Sequence, residues 1–252
     1  MEPILEAVAL SKTFPTGHGG RFTALHQVSF QLLPGQTLGI VGESGSGKST
    51  LARAVARLMD VTSGQIFLEG RDITNARGAA LRPVYRQIQM VFQSPAASFD
   101  PRRTIGYSIG ESLRNVGVSR DETRQRVFQL MEQCGLPAAL STRYPHEISG
   151  GQCQRAAIAR ALAISPRILL CDEATSSLDV TVQQQIMALL RELRASNGLS
   201  MIFICHNLAL VQSFCDQVLV MHGGEVVEAG RPDDLIRAPR SAYTRQLVEA
   251  AL

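Results

Sequence analysis

The sequence predicts an α/β fold: a mainly parallel sheet with helices, an antiparallel β subdomain at the N-terminus and an inserted α-helical subdomain. Short apolar runs of strand length alternate with stretches of helical spacing, which is typical of strand–helix–strand units. The first two runs, residues 4–10 and 28–33, have an antiparallel pattern and are separated by a glycine-containing loop. Residues 94–164 contain no strand-like run and have helical spacing, so we expect them to form the insertion.

The composition is that of a folded domain. The chain has 252 residues, of which 45% are hydrophobic, enough to bury roughly 70–75% of the surface that the unfolded chain exposes. Charged residues make up 19%, which excludes a disordered chain, and the net charge of +3 gives no broad electrostatic footprint for nucleic acid. The 25 basic residues include 23 arginines and only two lysines, Lys12 and Lys48. We attribute this bias to the base composition of the gene. Because lysine is so rare in this chain, a specific reason is sought for each of the two.

The later elements continue the alternation. Residues 37–41 form an apolar run that ends in glycine-rich sequence, as expected of a buried parallel strand, and residues 48–59 then have helical spacing. Further strands are expected at residues 64–69, 88–92, 168–171, 200–205, 217–221 and 225–228. Further helices are expected at residues 105–115, 120–134, 150–163 and 181–195. The spacing of Ser119 and Glu122 predicts a capping box before the second of these.

The sequence predicts neither a membrane span nor a secretion signal. The most apolar segment, residues 200–211, is shorter than the ~20 residues that a spanning helix needs and contains His206 and Asn207. The N-terminus carries Glu2 and Glu6 without a basic segment, unlike a signal peptide. The five cysteines have no metal-binding spacing, so we expect reduced, buried thiols in a cytosolic chain.

Residues 42–49, with the sequence GESGSGKS, match the phosphate-binding pattern G-x-x-x-x-G-K-[ST] between a predicted strand and a predicted helix. Glycines allow the backbone N–H groups to point at phosphate oxygens, and the helix N-terminus adds partial positive charge. Lys48 supplies an ammonium group for the β- and γ-phosphates, and Ser49 a hydroxyl for Mg²⁺. The residues expected to bind ATP here are Gly42, Glu43, Ser44, Gly45, Ser46, Gly47, Lys48, Ser49 and Thr50. The alternative is a glycine–serine turn that opens a helix and binds nothing.

A second chemical signal lies at the end of the strand predicted at residues 168–171. Asp172 is suited to hold Mg²⁺, and Glu173 is suited to polarise an attacking water. The alternative is a solvated acidic pair at the end of a strand. The presence of the phosphate motif in the same chain favours the Mg²⁺ and water roles over this alternative. Together the two motifs predict a P-loop NTPase core.

A third motif opens the helix predicted at residues 150–163. Ser149, Gly150, Gly151 and Gln152 make a second potential anion site, which one nucleotide does not need. With Ile148 before them, these residues resemble the signature motif of ATP-binding cassette (ABC) ATPases. The resemblance implies that two such domains pair head to tail, each signature motif closing over the ATP held by its partner.

The other motifs of that family are present in order, and the resemblance spans essentially the whole chain. They are Phe14 for the aromatic that stacks on adenine, Gln93 for the Q-loop, Ser177, Leu178 and Asp179 for the D-loop, and His206 for the switch histidine. The resemblance implies ATP hydrolysis, with Glu173 orienting the water, His206 contacting the γ-phosphate, and Gln93, Ser49 and Asp172 around Mg²⁺. The alternatives are a core aromatic for Phe14, a surface amide for Gln93 and a core histidine for His206.

Two features indicate a branch of the family. Ser149 lies only 56 positions after Gln93, which leaves too few residues for the long coiled coils of the DNA-repair relatives. Residues 90–102 and 242–247 resemble the post-Q-loop segment and the tail of ATPases that serve oligopeptide, dipeptide and nickel importers. The departures from that group are Ile148 for leucine, Phe99-Asp100 for Leu-Asn, Ala174 for proline and Ser241-Ala242 for His-Pro.

The resemblance therefore implies the ATPase subunit of a bacterial importer for peptides or for nickel and metal chelates, peripheral on the cytoplasmic face of the inner membrane. Its implied partners are a second ATPase subunit, two permeases and, indirectly, a periplasmic or extracellular substrate-binding protein, with no nucleic acid. We expect a heterodimer, with a homodimer left open. Residues 1–252 would form one domain, with a core of residues 1–93 and 166–252 and a helical subdomain at about 94–165. The alternative function is a non-transport ABC ATPase, such as a subunit of a phosphonate-degrading complex or a translation-associated factor.

Overall fold

Two sheets and a set of helices make up the computed structural model, which describes residues 2–17, 19–175 and 178–250. The strands are β1 (Leu5–Pro15), β2 (Arg21–Leu32), β3 (Thr37–Val41), β4 (Ser63–Leu68), β5 (Arg71–Asp72), β6 (Ile88–Val91), β7 (Ile168–Asp172), β8 (Ser200–Ile204), β9 (Gln217–His222) and β10 (Glu225–Gly230). The α-helices are α1 (Lys48–Val55), α2 (Leu81–Gln87), α3 (Ile105–Ile109), α4 (Glu111–Asn115), α5 (Arg120–Gln133), α6 (Gly150–Leu162), α7 (Val180–Asn197), α8 (Leu208–Phe214), α9 (Pro232–Arg237) and α10 (Ala242–Glu249).

The larger sheet is mainly parallel, as predicted. Its order is β10-β9-β3-β8-β7-β6, and every neighbouring pair is parallel except β10 with β9. All residues of β3, β7 and β8 are buried, which explains why they appear in the sequence as continuous apolar runs. Helices cross between the parallel strands, as this connection requires.

The smaller sheet is antiparallel, in the order β2-β1-β4-β5. Its first hairpin is longer than predicted, because β1 continues to Pro15 and β2 begins at Arg21. Most of the added residues are half-buried or exposed and many are polar, and the buried pair Ala24 and Leu25 is too short to form an apolar run of strand length. Ala9 and Gln27 adopt left-handed backbone angles, at φ of 49° each, where the pairing is irregular. The backbone N–H of His26 on β2 donates to the Gly224 carbonyl at 2.9 Å and ties this sheet to the β9–β10 turn.

The larger sheet separates two apolar cores, because side chains alternate between its faces. Along β7, Ile168 and Leu170 face the core shared with the smaller sheet, whereas Leu169 and Cys171 face the core shared with the helical region. Side chains of β3, the strand before the phosphate loop, alternate in the same way, with Ile40 in the first core and Val41 in the second. The carboxyl ends of these strands are therefore supported from both sides.

Several helix boundaries differ from the prediction. The helix predicted at residues 48–59 ends at Val55, since Arg57 adopts a left-handed backbone with φ of 57° that no α-helix continues. The helix predicted at residues 105–115 divides at Gly110 into α3 and α4. A Cβ at Gly110 would lie 2.8 Å from Thr123 of α5, so the glycine allows a close approach at this joint. The Ser119 cap is present, accepting a hydrogen bond from the Glu122 N–H at 3.3 Å.

Three further findings concern membrane spans, thiols and metal-binding clusters. Within residues 2–17, 19–175 and 178–250 there is no helix long and apolar enough to cross a membrane. All five cysteines are free and buried, and burial raises the pKa of Cys134, Cys171 and Cys205 to about 12. The described residues also contain no group of three or more His, Cys, Asp or Glu side chains placed to hold a metal ion.

Candidate nucleotide site

The predicted chemical groups gather where consecutive parallel strands end. The loop of residues 42–47 follows β3, Asp172 and Glu173 lie at the end of β7, His206 follows β8, and Gln93 follows β6. These four strands are neighbours in the order β3-β8-β7-β6. The carboxyl edge of a parallel sheet is where α/β proteins bind their ligands, and the sheet order sets the spacing of the groups there.

The phosphate loop requires glycine at its two ends. Gly42 and Gly47 have φ values of 152° and 100°, in the region that side chains disfavour. A Cβ on Gly42 would lie 2.1 Å from the Met221 carbonyl oxygen, and one on Gly47 would lie 2.5 Å from the Ala24 carbonyl oxygen. The loop is therefore pressed against β9 and β2, which leaves its middle residues open to solvent.

Lys48 is buried beneath the loop. Its side chain is only 4% exposed, and its ammonium group donates to the carbonyl oxygens of Gly42 at 2.7 Å and Glu43 at 2.6 Å and to Ser46 Oγ at 3.3 Å. Burial lowers the pKa of Lys48, although the nearby Glu173 and Asp172 carboxylates oppose this effect. Removal from water without a full counter-charge disfavours the ammonium form, and an anion at the loop would favour it.

Ser49 and Asp172 form an oxygen pair beside the lysine. The Ser49 hydroxyl donates to Asp172 Oδ1 at 2.9 Å, and Asp172 is 3% exposed. Burial raises the pKa of Asp172, and the Ser49 hydrogen bond only partly offsets it. A hydroxyl and a buried carboxylate are hard oxygen donors of the kind that Mg²⁺ prefers.

Gln93 and Glu173 are brought together across 80 residues of sequence. Gln93 Nε2 donates to Glu173 Oε2 at 2.6 Å, and the Glu173 N–H donates to the Ile204 carbonyl oxygen at 3.0 Å. Glu173 has φ of 48°, a strained conformation for a residue with a side chain. The backbone bond to β8 holds this conformation and fixes where the carboxylate emerges.

These residues surround one cavity of about 310 Å³. Its lining consists of Phe14, Phe22, Ala24, Ser44, Gly45, Gly47, Lys48, Ser49, Thr50, Gln93 and Glu173. Among the predicted residues, Phe14, most of the phosphate loop, Gln93 and Glu173 therefore share one space. Gly42, Glu43 and Ser46 of the loop do not line the cavity. Instead, the carbonyl oxygens of Gly42 and Glu43 and the hydroxyl of Ser46 are the hydrogen-bond partners of Lys48.

Two residues of this region were not predicted. Phe22 on β2 is paired with Phe14 on β1 and is 55% exposed, so two aromatic rings border the cavity. Its position opposite Phe14 in the hairpin was the available signal. The second is Tyr243 on α10, whose hydroxyl accepts a hydrogen bond from the Glu43 N–H at 2.9 Å. No local pattern links two residues that are 200 positions apart.

The signature residues lie apart from the cavity. Ser149 caps α6 by accepting from the Gln152 N–H at 3.3 Å, and Gln152 Oε1 accepts from the Ser149 N–H at 3.0 Å. Ser149 and Gly150 are exposed, and a Cβ on Gly151 would lie 2.7 Å from Val182 Cγ1 of α7. This exposed helix start does not contribute to the cavity of its own chain.

The remaining predicted residues also lie outside that cavity. Asp179 is exposed and caps α7 by accepting from the Val182 N–H at 2.9 Å, with the half-buried Leu178 before it. Ser177, the first predicted D-loop residue, lies outside the described residues. His206 is exposed directly after Cys205, which follows β8.

Comparison with known sequences agrees with the family resemblance of the motifs. The profile of the ABC transporter family matches residues 25–176. The glutathione import ATP-binding protein of Pectobacterium atrosepticum is 45% identical over 99% of this chain, and the oligopeptide transport ATP-binding protein OppF of Escherichia coli is 47% identical over 90%. The chain spans 41% of the length of the first of these relatives and 69% of the second.

Solved structures are similar over most of the chain. The dimeric ATP-binding cassette MJ0796, in a post-hydrolysis state bound to ADP and Pi, matches with a TM-score of 0.83 and 28% identity, over 90% of this chain and 98% of that one. The protein cbiO1 of Clostridium perfringens, part of the ABC transporter complex cbiONQ, matches with a TM-score of 0.81 and 27% identity over both full chains. Because the family profile covers more than half of the chain and OppF is 47% identical over 69% of its own length, this chain belongs to the ABC transporter family.

Proposed function

We propose that the chain binds and hydrolyses ATP to energise a multisubunit importer of peptides. One observation carries the catalytic part: the buried Lys48 under a glycine loop shares a cavity with Glu173, next to the Ser49–Asp172 oxygen pair. The transport part is supported by the relatives, which are glutathione and oligopeptide import ATP-binding proteins. These relatives do not support the import of nickel or metal chelates, which stays a prediction. They also do not favour a non-transport ATPase.

The residues present fit MgATP. The loop has left-handed glycines that leave room for phosphate oxygens, and Lys48 carries a buried charge bonded to neutral oxygens. Ser49, Asp172 and the amide oxygen of Gln93 form a hard donor set for Mg²⁺, which when bound supplies positive charge to the phosphates. Phe14 and Phe22 offer apolar faces to a base at the edge of the same cavity.

Hydrolysis on this scaffold depends on positioning and electrostatics. The Lys48 ammonium would leave the loop carbonyls and neutralise charge on the β- and γ-phosphate oxygens. Glu173, held in its strained conformation by β8, would orient the attacking water and accept its proton. The Gln93 amide fixes the Glu173 carboxylate at 2.6 Å, and His206 would hold the terminal phosphate.

A second cassette completes the proposed site. The signature residues Ser149, Gly150 and Gln152 lie at an exposed helix start, outside the cavity formed by their own chain. Backbone N–H groups at such a start favour an anion. We propose that they contact ATP held by the partner cassette, and that the chain acts at the cytoplasmic face of the inner membrane beside two permeases. The partner is expected to be a different subunit, as in a heterodimer, and a substrate-binding protein would deliver the cargo.

Replacement of Lys48 tests the ATP site. We expect Lys48→Ala to abolish MgATP binding measured by calorimetry, because among the described residues no other cationic side chain lines the cavity and could replace its ammonium group. Lys48→Arg should fail as well, since a planar guanidinium needs more space than the enclosed ammonium. Far-UV circular dichroism provides the check on folding. Unchanged affinity in Lys48→Ala would disprove the assignment of the phosphate loop.

A further inference from the structure

Helix α10 reaches the phosphate loop through a single side chain. The Tyr243 hydroxyl accepts a 2.9 Å hydrogen bond from the N–H of Glu43, the second residue of the loop. The carbonyl oxygen of the same residue accepts a 2.6 Å bond from Lys48. Both backbone polar groups of Glu43 are therefore held, the N–H from outside the loop and the carbonyl oxygen from inside it.

Tyr243 is itself firmly placed. Its ring lies 4.2 Å, centroid to centroid, from that of His222 at the end of β9. Ser241 caps α10 by accepting from the Thr244 N–H at 2.9 Å, and Thr244 is 1% exposed. The Glu228 carboxylate on β10 accepts from the Ser241 N–H at 2.9 Å. The hydroxyl of Tyr243 therefore comes from an anchored helix turn, attached to the same β-hairpin that borders the loop.

The start of the loop is thus enclosed on two sides. Gly42 packs against the Met221 carbonyl of β9 so closely that a Cβ would clash, and Glu43 is bonded to Tyr243 of α10. The next residues, Ser44 and Gly45, line the cavity and are free of such constraints from α10. Fixing the first residues of a binding loop lowers the ordering cost that a ligand must meet.

We propose that Tyr243 is a positioning residue for ATP, whose hydroxyl holds the start of the phosphate loop in its nucleotide-binding shape and so couples α10 to the site. This inference rests on the proposed ATP-binding function. Since coupling between two sites is reciprocal, ATP would also stabilise the docked position of α10. Any partner that displaces α10 would then weaken ATP binding.

The variant Tyr243→Phe tests the inference, because it keeps the ring beside His222 and removes only the hydroxyl. We expect the Kd for MgATP to rise about two- to tenfold, the range that one hydrogen bond of ordinary strength supplies. The KM for ATP should rise in parallel while kcat stays within about twofold, because Tyr243 does not line the cavity. A general loss of folded structure would lower kcat as well.

Tyr85→Phe is the matched control. The Tyr85 hydroxyl donates to the backbone carbonyl of Arg57 at 3.1 Å, so this variant also removes one bond between a tyrosine hydroxyl and the backbone, but away from the phosphate loop. We expect it to lower the unfolding temperature without changing the Kd for MgATP. Equal weakening of ATP binding in both tyrosine variants would overturn the inference, since the effect would then be one of stability.

Ser241→Ala makes the test independent of the tyrosine itself, because it loosens α10 by removing its cap. It should raise the Kd for MgATP in the wild-type background and have no further effect in Tyr243→Phe, where the tether is absent. Additive effects of the two changes would contradict the inference. If the wild-type chain binds no ATP, the proposed function fails; if it binds and Tyr243→Phe binds equally well, only the role of Tyr243 fails.

Discussion

At the scale of single residues, the two lysines of an arginine-rich chain both have specific surroundings. Lys48 is enclosed under the phosphate loop, where a compact ammonium fits. Lys12 donates to the Asp60 carbonyl oxygen at 2.5 Å, and its ammonium lies 5.1 Å from the centre of the Phe14 ring. Lys12 therefore positions an aromatic at the cavity edge, a role the sequence could not indicate because Asp60 is 48 residues away.

Glu173 provides a residue-scale prediction. Glu173→Gln keeps the shape of the side chain but removes the basic carboxylate, so we expect ATP binding to persist while turnover falls about a hundredfold or more. ATP should then trap a closed dimer, which size-exclusion chromatography with light scattering detects. Glu225→Gln, an equal charge change at an exposed site, should turn over normally. Hydrolysis by Glu173→Gln at the wild-type rate would show that another group is the base.

At the scale of elements, long and strongly patterned segments agree best with the sequence. The buried strands β3, β7 and β8 and the capped helix α5 were predicted within one or two residues, because burial on both faces or a cap leaves a local signal. The short helix α8 was not predicted, since seven residues give too few repeats for a helical pattern. Its cap, Asn207, accepts from the Ala209 N–H at 2.9 Å and was the one local signal available.

The replaced tail dipeptide, Ser241-Ala242, has a structural explanation at this scale. Ser241 serves as the cap of α10, and Ala242 is its first helical residue. A serine cap and an alanine at the helix start both favour helix formation. The departure from the His-Pro of the related importers therefore preserves a helix start and leaves Tyr243 in place.

The link between β10 and α10 gives a pH-dependent prediction. Burial tends to raise the pKa of Glu228, but hydrogen bonds from the Thr244 hydroxyl and from the N–H groups of Ser241 and Arg240 outweigh it and bring the pKa below its ordinary value of 4.5. A lowered pKa means that the ionised carboxylate stabilises the fold above pH 4.5 and that this stability is lost as the pH falls through the folded-state pKa.

We therefore expect Glu228→Gln to lower the unfolding temperature at pH 7 by roughly 2–4 °C, because an amide offers only one oxygen to two N–H donors. The difference from wild type should shrink as the pH is lowered below 4.5. Thermal melts followed by circular dichroism between pH 3.5 and 7.5 measure it. Glu225→Gln on the same strand is the control, and an equal difference at every pH would contradict the assignment.

At the scale of the whole molecule, the order of the sheet strands brings the chemical groups together. The sequence identified Lys48, Asp172, Glu173 and Gln93 individually, and the family resemblance implied that they meet. The residue patterns could not provide the strand order β3-β8-β7-β6, because parallel strands that pair are far apart in sequence and no local pattern marks which strands are neighbours. The separation between the cavity and the signature residues, in contrast, was implied by the family resemblance, in which each signature motif serves the partner's ATP.

The assembly is the subject of the last prediction. A tagged chain purified from membranes of its natural host should recover two permeases and a second cassette, identified by mass spectrometry. Recovery with soluble enzymes or ribosomes alone would instead favour a non-transport ATPase. Arg160→Ala provides a specific variant, because Arg160 of α6 donates to the Ser98 carbonyl and hydroxyl oxygens at 2.6 and 2.7 Å. Arg160 thereby holds part of residues 94–115, the region where the family resemblance implies that a helix of the permease docks. The variant should weaken that recovery while ATP binding persists.

The buried cysteines have a practical consequence for following such an assembly. Thiol-reactive probes attack thiolates, and thiols with pKa values near 12, as at Cys134, Cys171 and Cys205, are almost fully protonated at neutral pH. Cys153 and Cys215 are buried as well, and their pKa values are also raised. A cysteine introduced at an exposed position would therefore take up a fluorescent or spin label selectively. Distances between paired cassettes can then be measured without first replacing any native cysteine.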